Sequence, residues 1–279
     1  DGTVLLDPAR TSVAVWDALW KQCKGVSAMQ PSTDRKGRKS PQELHSLRGA
    51  MRRDGVAMVR FMMWLESEFN RGTRLTELSA ADKLTEIRST DERYVSDSFR
   101  SISSTGIHGA IVHYSVSKET DIPLETPGVY LIDSGGQYLD GTTDITRTLA
   151  IGDPPPQAVD DFTLVLKSHI ALATVRFPVG TTGRMLDTVA RRPMWDRARN
   201  YGHGTGHGVG FYLNVHEGPG RISPKESDWP LDIGAVLSNE PGLYRPDEYG
   251  IRIENLVAVQ PDTATPFGEF LRLETLTLC

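Results

Sequence analysis

Tyr130-Leu-Ile-Asp133-Ser-Gly-Gly-Gln-Tyr-Leu-Asp140-Gly-Thr-Thr-Asp144-Ile-Thr-Arg147-Thr148 reads as two strands joined by a glycine-containing turn. Val129 to Ile132 is a β-rich apolar run ending on Asp133, Ser134-Gly135-Gly136 carries turn chemistry, and Thr142 to Leu149 alternates as a return strand. Asp133 and Asp144 lie eleven positions apart, so antiparallel pairing can bring both carboxylates to one face. Two carboxylates held close repel, and one must take a proton unless a cation sits between them. The stretch therefore points to an acidic β-structure that holds a metal.

The flanking chain repeats this arrangement. Upstream, Ser40-Pro41-Gln42-Glu43 has the Ser cap, the first-position Pro and the Glu three residues on that start a helix. Leu44, Leu47, Met51, Met58, Met62, Leu65 and Phe69 continue it as an amphipathic helix to near Gly72, with the methionines as core packing. Thr76 caps a second helix to about Ser89, and Tyr94 to Tyr114 alternates short extended pieces with turns, carrying His108 and His113. Downstream, Asp153-Pro-Pro-Pro156 opens a helix through Val159, Phe162, Leu166, Ile170 and Ala173, and another starts at Thr182 or Gly183 and ends near Trp195. A Gly/His segment follows, Tyr201-Gly-His203-Gly-Thr-Gly-His207-Gly-Val-Gly210, then a second acidic pair in Leu237-Ser-Asn-Glu240-Pro-Gly and Gly250-Ile-Arg252-Ile-Glu254-Asn. Glu240 follows Asp133 by 107 residues and Glu254 follows Asp144 by 110. Near-equal offsets predict an internal duplication with pseudo-twofold symmetry and a central site fed by two acids from each half.

Residues 1–39 read as the end of a preceding domain: a strand at Thr3–Leu6, a helix from Thr11 to Cys23, and a basic stretch from Gln30 to Ser40 expected to be a solvated linker. The 279 residues carry a net charge of −5, which speaks against nucleic acid or an anionic membrane as partner. No apolar run is long enough to span a bilayer. Cys23 and Cys279 are the only cysteines, so there is no disulfide framework and a reducing compartment is favoured.

Four carboxylates and a histidine form an inventory for two metal ions, and oxygen-rich ligation with one imidazole suits Mn²⁺, Co²⁺, Fe²⁺ or Zn²⁺ without choosing among them. Arg147 and Arg252 each stand close in sequence to an acid and are expected to orient it. Gly204, Gly206, Gly208 and Gly210 let backbone pass close to a site. Taken singly, Asp133 and Glu240 read as turn residues and Asp144 as a surface acid. The glycine-rich loop read alone would suit a phosphate, but no Lys follows in a P-loop arrangement. The functional reading rests on their conjunction.

The segments Ile111-Val-His113-Tyr, Asp133-Ser-Gly-Gly-Gln-Tyr, Asp140-Gly-Thr-Thr-Asp144-Ile-Thr-Arg147-Thr, His203-Gly-Thr-Gly-His207-Gly-Val-Gly, Leu213-Asn-Val-His216-Glu-Gly-Pro, Asn239-Glu240-Pro-Gly and Gly250-Ile-Arg252-Ile-Glu254-Asn resemble the aminopeptidase P family, X-Pro aminopeptidases of the pita-bread metallopeptidases, in their cytosolic eukaryotic type. The resemblance runs from about Ser40 to Cys279 in order and spacing. It implies an α+β pita-bread fold, a pseudo-twofold repeat of helices around a curved antiparallel sheet. Residues 40–279 would be the catalytic domain, truncated in its C-terminal extension. Asp133, Asp144, His207, Glu240 and Glu254 match the five metal ligands. By that match Asp144 and Glu254 bridge the ions, Asp133 completes one ion, and His207 with Glu240 completes the other. The metal implied is Mn²⁺, with Co²⁺ or Zn²⁺ as alternatives.

The same resemblance implies release of the N-terminal residue from X-Pro-Y peptides through a hydroxide bridging the two ions. Glu240 matches the carboxylate that handles the protons of that nucleophile. His113 matches a histidine that assists at the scissile bond, and His203 and His216 match histidines lining the pocket on the proline side. Arg252 and Tyr244 match supports behind the ligands, with Arg252 counted among the catalytic groups and Tyr244 among those on the substrate side. A cytoplasmic location is implied, and a homodimer of the full-length protein is left open. A prolidase acting on X-Pro dipeptides is the nearest alternative, methionine aminopeptidase fits less well, and a non-catalytic pita-bread binding module is the alternative from another class.

Overall fold

The computed structural model describes residues 3–8, 10–27, 30–124, 127–225 and 229–279, so residues 1–2, 9 and 28–29 of the expected N-terminal remnant lie outside it. Thr3–Leu6 (β1) pairs in parallel with Lys24–Ser27 (β2), and Val13–Trp20 (α1) lies between them in sequence. The stretch read as a solvated linker is instead a short helix, Pro31–Gly37 (α2), docked on the rest of the chain. Trp229 Nε1–H donates to Asp34 Oδ1 at 2.8 Å, and the backbone N–H of Lys39 donates to Gly234 O at 2.8 Å. Both partners lie about 195 residues away in sequence, so local composition gave no sign of them.

Pro41–Asn70 (α3) starts as the sequence dictates. The Ser40 hydroxyl accepts from Glu43 N–H, and the Glu43 carboxylate accepts from Ser40 N–H. Met51 and Met58 are buried, as expected of core packing, whereas Met63 points to solvent. Thr76 caps Glu77–Arg88 (α4) through its bond to Ser79 N–H. Two short strands follow, Tyr94–Asp97 (β3) and Ile102–Thr105 (β4), then a 3-10 turn over Gly106–Ala110.

The acidic stretch forms four strands: Gly128–Ser134 (β5), Gly136–Tyr138 (β6), Gly141–Thr142 (β7) and Ile145–Ile151 (β8). β5 pairs with β8 in the register Asp133↔Thr146, and β6 pairs with β7 as an inner hairpin. The reversal is therefore at Leu139–Asp140 and not at Ser134-Gly-Gly as expected. Gly135 is a corner where the chain leaves one sheet for another. A Cβ there would lie 2.0 Å from the Thr143 carbonyl oxygen, so only glycine can make the crossing.

The second half repeats the plan. Pro156–Ala173 (α5), Arg176–Pro178 (β9) and Gly183–Trp195 (α6) precede Gly206–His207 (β10) and Arg221–Ile222 (β11). Then come Val236–Asn239 (β12), Gly242–Arg245 (β13), Tyr249–Arg252 (β14), Asn255–Thr265 (β15) and Gly268–Thr275 (β16). β12 pairs with β15 while β13 and β14 form the inner hairpin. Strands β12 to β15 thus reproduce β5 to β8: outer strands pair and inner strands turn back. Asp133 and Glu240 stand where the first outer strand gives way to the inner hairpin. Asp144 and Glu254 each stand immediately before the returning outer strand. The predicted duplication is present, and it makes the four acids two equivalent pairs.

Every described pairing from β3 to β16 is antiparallel, in sheets ordered β4-β5-β8 and β12-β15-β16-β9 with smaller ribbons beside them. One core packs Met58, Phe61, Leu84, Tyr130, Ile132 and Ile145 between the first helix pair and its sheet. Another packs Leu172, Phe177, Leu186, Leu237, Val257 and Leu271 in the second half. Each such fully buried side chain contributes about 1.5–3 kcal/mol. The halves meet where Glu254 N–H donates to Thr146 O at 3.1 Å, an antiparallel bridge between the two sheets.

Candidate metal centre

That bridge sets two carboxylate pairs face to face. Asp133, Asp144 and Glu254 are almost wholly buried. Strand alternation turns Thr146 and Thr148 toward the junction with the second half. The Thr146 hydroxyl donates to Glu254 Oε2 at 2.7 Å, and the Thr148 hydroxyl donates to Arg252 O at 2.9 Å. Arg147, between them, faces the other way. Its guanidinium donates to the backbone oxygens of Thr146 and Glu254, at 2.9 and 2.7 Å, and to Cys279 O. The expectation that Arg147 orients an acid side chain is therefore corrected: it holds the Glu254 backbone.

Arg252 does meet a carboxylate. Its Nη2 donates to Asp133 Oδ2 at 2.6 Å, its Nε to the Thr146 hydroxyl at 3.2 Å, and its Nη1 to the Tyr244 hydroxyl at 2.8 Å. Asp133 Oδ1 is left buried with no hydrogen-bond partner among the described residues. His207 Nε2 lies 3.4 Å from Asp144 Oδ2 and 3.5 Å from Glu240 Oε1, and its Nδ1 faces Gly208 O at 3.0 Å. Ser238, which sequence reading did not single out, ties this side together. Its hydroxyl donates to Glu240 Oε1 at 2.9 Å and accepts from His207 N–H at 2.9 Å. The approach is close because Gly206 has no side chain; a Cβ there would sit 1.9 Å from Ser238 O.

Burial, together with the charges of Asp144, Glu240 and Asp133, drives the Glu254 carboxyl well above its ordinary value. Burial likewise pushes Asp144 up to about 7 and raises Glu240. Burial pulls the His207 imidazole down, but the hydrogen bond to Asp144 and the charges of Glu240 and Asp144 win and raise it to about 9. Asp144, Glu240 and Glu254 therefore hold protons more tightly than free carboxylates do, and a cation would displace them. One ligand atom each from Asp144, His207 and Glu254 lies within 4.8 Å of the others. Carboxylate oxygens with one imidazole, and an orphaned Asp133 oxygen beside them, fit hard or borderline divalent ions.

These groups line a cavity of about 390 Å³, with His113, His203, His216, Arg252 and the apolar side chains of Phe99, Ile102, Val112 and Val215. Tyr244 is not among its lining; its hydroxyl lies behind the wall between Arg252 and His203 Nε2, 2.9 Å from the latter. Burial lowers His203 to about 4 and also lowers His216. Both are therefore neutral at pH 7. The His216 ring meets the His207 ring edge-on, with centroids 4.0 Å apart.

Polar networks outside the cavity fix these loops. Glu77, fully buried at the start of α4, accepts from Thr105 N–H, His108 Nδ1 and Tyr114 O–H, gripping both ends of the segment that presents His113. In α6, Asp187 and Arg191 form a buried ion pair at 2.7 Å. Arg191 donates to the carbonyls of Tyr201 and His203, and Asp187 accepts from Thr205. Asp187 and Arg191 had no visible role in the sequence, because their loop partners are two carbonyls and the Thr205 hydroxyl.

A sequence profile of metallopeptidase family M24 matches residues 45–261. A protein named "Probable Xaa-Pro aminopeptidase P" from Paracoccidioides brasiliensis (strain Pb03) is 47% identical over 285 residues, covering 98% of this chain and 46% of its own length. The crystal structure of an X-prolyl aminopeptidase from Caenorhabditis elegans, described as a cytosolic enzyme with a di-nuclear active site, superposes with a TM-score of 0.87 at 40% identity. It covers 91% of this chain and 42% of that one. Prolidase from Pyrococcus furiosus shares the fold, with a TM-score of 0.78 at 24% identity over 99% of this chain and 76% of that one. The chain thus spans less than half the length of the relative from Paracoccidioides. Among the described residues no helix is long and apolar enough to cross a membrane.

Proposed function

The chain belongs to metallopeptidase family M24, and on that premise we propose that it is the catalytic part of an X-Pro aminopeptidase, releasing the N-terminal residue from peptides whose second residue is proline. One observation carries the reading. Two acids from each half and His207 converge on a cavity whose other polar lining is His113, His203, His216 and Arg252. Asp133, Asp144, His207, Glu240 and Glu254 would hold two divalent ions, with Mn²⁺ the favoured metal. When bound, such ions supply Lewis acidity that activates a water and polarises the peptide carbonyl.

The chain's own groups do the rest. Glu240, steadied by Ser238, takes and returns the proton of the attacking water. Arg252 holds Asp133 in place from behind. Neutral His203 and His216 line the pocket on the proline side, beside Val215. His113, presented by the Glu77-held segment, serves the scissile bond, where the departing proline nitrogen needs a proton. The four acids also give the substrate's free α-ammonium a place to dock, which makes the cleavage exopeptidic. Residues 40–279 contain every group named here, a cytosolic setting follows the relative from Caenorhabditis elegans, and a homodimer of the longer protein belongs to the same reading.

Metal-stripped protein assayed on an X-Pro-Y tripeptide with and without Mn²⁺ tests this. Mn²⁺-dependent release of the first residue alone is expected, with Asp144→Ala and Glu240→Ala abolishing it. Undiminished turnover in either variant would sink the dinuclear reading. Cleavage of X-Pro dipeptide with no action on the tripeptide would establish the prolidase alternative instead.

A further inference from the structure

α2 lies upstream of the region that the M24 profile matches, which begins at residue 45. It nevertheless packs on the loop that carries His216. A Cβ on Gly37 would meet Pro219 Cδ at 2.7 Å, so helix backbone and loop are in direct contact. Lys36 Nζ lies 2.8 Å from Glu217 Oε2, and Lys39 Nζ lies 3.8 Å from Glu217 Oε1. The Lys39 side chain is 3% exposed and that of Glu217 is 8% exposed. Neither Glu217 oxygen has an aligned hydrogen-bond donor among the described residues. The two ammonium groups are therefore the main compensation for burying that charge.

On its other side Glu217 is tied to the metal-centre loop. Its backbone N–H donates to Gly208 O at 2.8 Å, and a Cβ on Gly208 would lie 2.1 Å from Glu217 O. Gly208 follows His207 and Glu217 follows His216, so this contact sets the two imidazoles edge to face. A buried carboxylate deprived of its cations takes up a proton or moves toward water, and in either case loses the attraction that anchors it. A released Glu217 would free His216 from the cavity wall.

We infer that Glu217 is a positioning residue for His216, and that Lys36 and Lys39 hold it in place, so the functional unit extends upstream to α2. The inference rests on the role proposed above for His216, but its first test does not depend on turnover. In the metal-free protein, Lys36→Met with Lys39→Met should speed hydrogen exchange of the Glu217 amide and of the Gly210 amide, which donates to Asn214 O at 2.9 Å in the same loop, by about tenfold or more. Asp34→Ala cuts the α2–Trp229 bond without touching Glu217 and should leave those amides unchanged.

In the Mn²⁺-loaded protein the double variant should lose about tenfold or more in kcat/KM on X-Pro-Y, with Asp34→Ala near wild type and Lys36→Arg on the Lys39→Met background recovering activity. If the double variant does not fold, Glu217→Gln removes the charge at constant volume and is read in both assays. Unchanged Glu217 exchange in the charge-removing variants, or equal loosening by Asp34→Ala, overturns the inference. Absent turnover in the wild type counts against the proposed function alone, and the exchange result still decides this one.

Discussion

Thr146 is small, uncharged and central. Its hydroxyl satisfies Glu254 on one side and Arg252 on the other, and its carbonyl receives the Glu254 N–H. Thr146→Val keeps the shape and leaves both charged partners short of a hydrogen bond. Mn²⁺ affinity of metal-stripped protein, read by calorimetric titration, should fall by about ten- to a hundredfold; an unchanged affinity would remove Thr146 from the centre. Glu254→Gln should act oppositely on the empty protein. Removing one of the crowded buried acids relieves repulsion, so the metal-free variant should melt a few degrees above metal-free wild type. Added Mn²⁺ should then stabilise it less than it stabilises wild type. The acids were legible in the sequence because carboxylates spaced 107 and 110 residues apart repeat a pattern. Thr146 was not, because a strand threonine is common and its partner lies 108 positions away. Glu217 was hidden for the same reason: its two lysines lie in a segment that composition alone assigns to solvent.

Helices were the most readable elements, since their starts are written in neighbouring residues: Ser40 and Glu43 cap α3 within four positions of each other. The hairpin was harder. Its first half was readable, but the corner at Gly135 depends on Thr143, in the link between two strands yet to come. Helix α5 carries a further consequence. His169 is buried, its carbonyl accepts from the Asn239 side chain, and its Nε2 faces the Asn255 amide. Burial, helped by the charge of Arg147, pulls its pKa from 6.5 down to about 4. The unfolded chain takes up this proton near pH 6.5 and the folded chain resists it until about 4. Its stabilising contribution is therefore complete above 6.5 and lost as pH falls through that window, by roughly 3 kcal/mol in full. His169→Asn should flatten the decline of the urea midpoint between pH 6.5 and 4.5; an identical decline in both proteins would show that His169 does not carry it.

For the whole molecule, the metal centre and the fold are one equilibrium. The ions bind the assembled halves and not the open chain, so Mn²⁺ at about a hundred times its dissociation constant should add about 2.7 kcal/mol. A melting temperature that rises with Mn²⁺ and returns with a chelator is the expected record; insensitivity to both would place the ions elsewhere or nowhere. The domain plan was legible to the extent that it is a repeat, and illegible at its upstream border, where α2 joins the second half through contacts about 195 residues distant.

The bridge between Thr146 and Glu254 also has a meaning in time. Ribosomes deliver Asp133 and Asp144 more than a hundred residues before Glu254. Until His207 is made, 63 residues after Asp144, the nascent first half owns two acids and none of the second half's ligands. The metal centre comes into being only when the second half closes on the first, so an unfinished chain carries the parts without the assembled site.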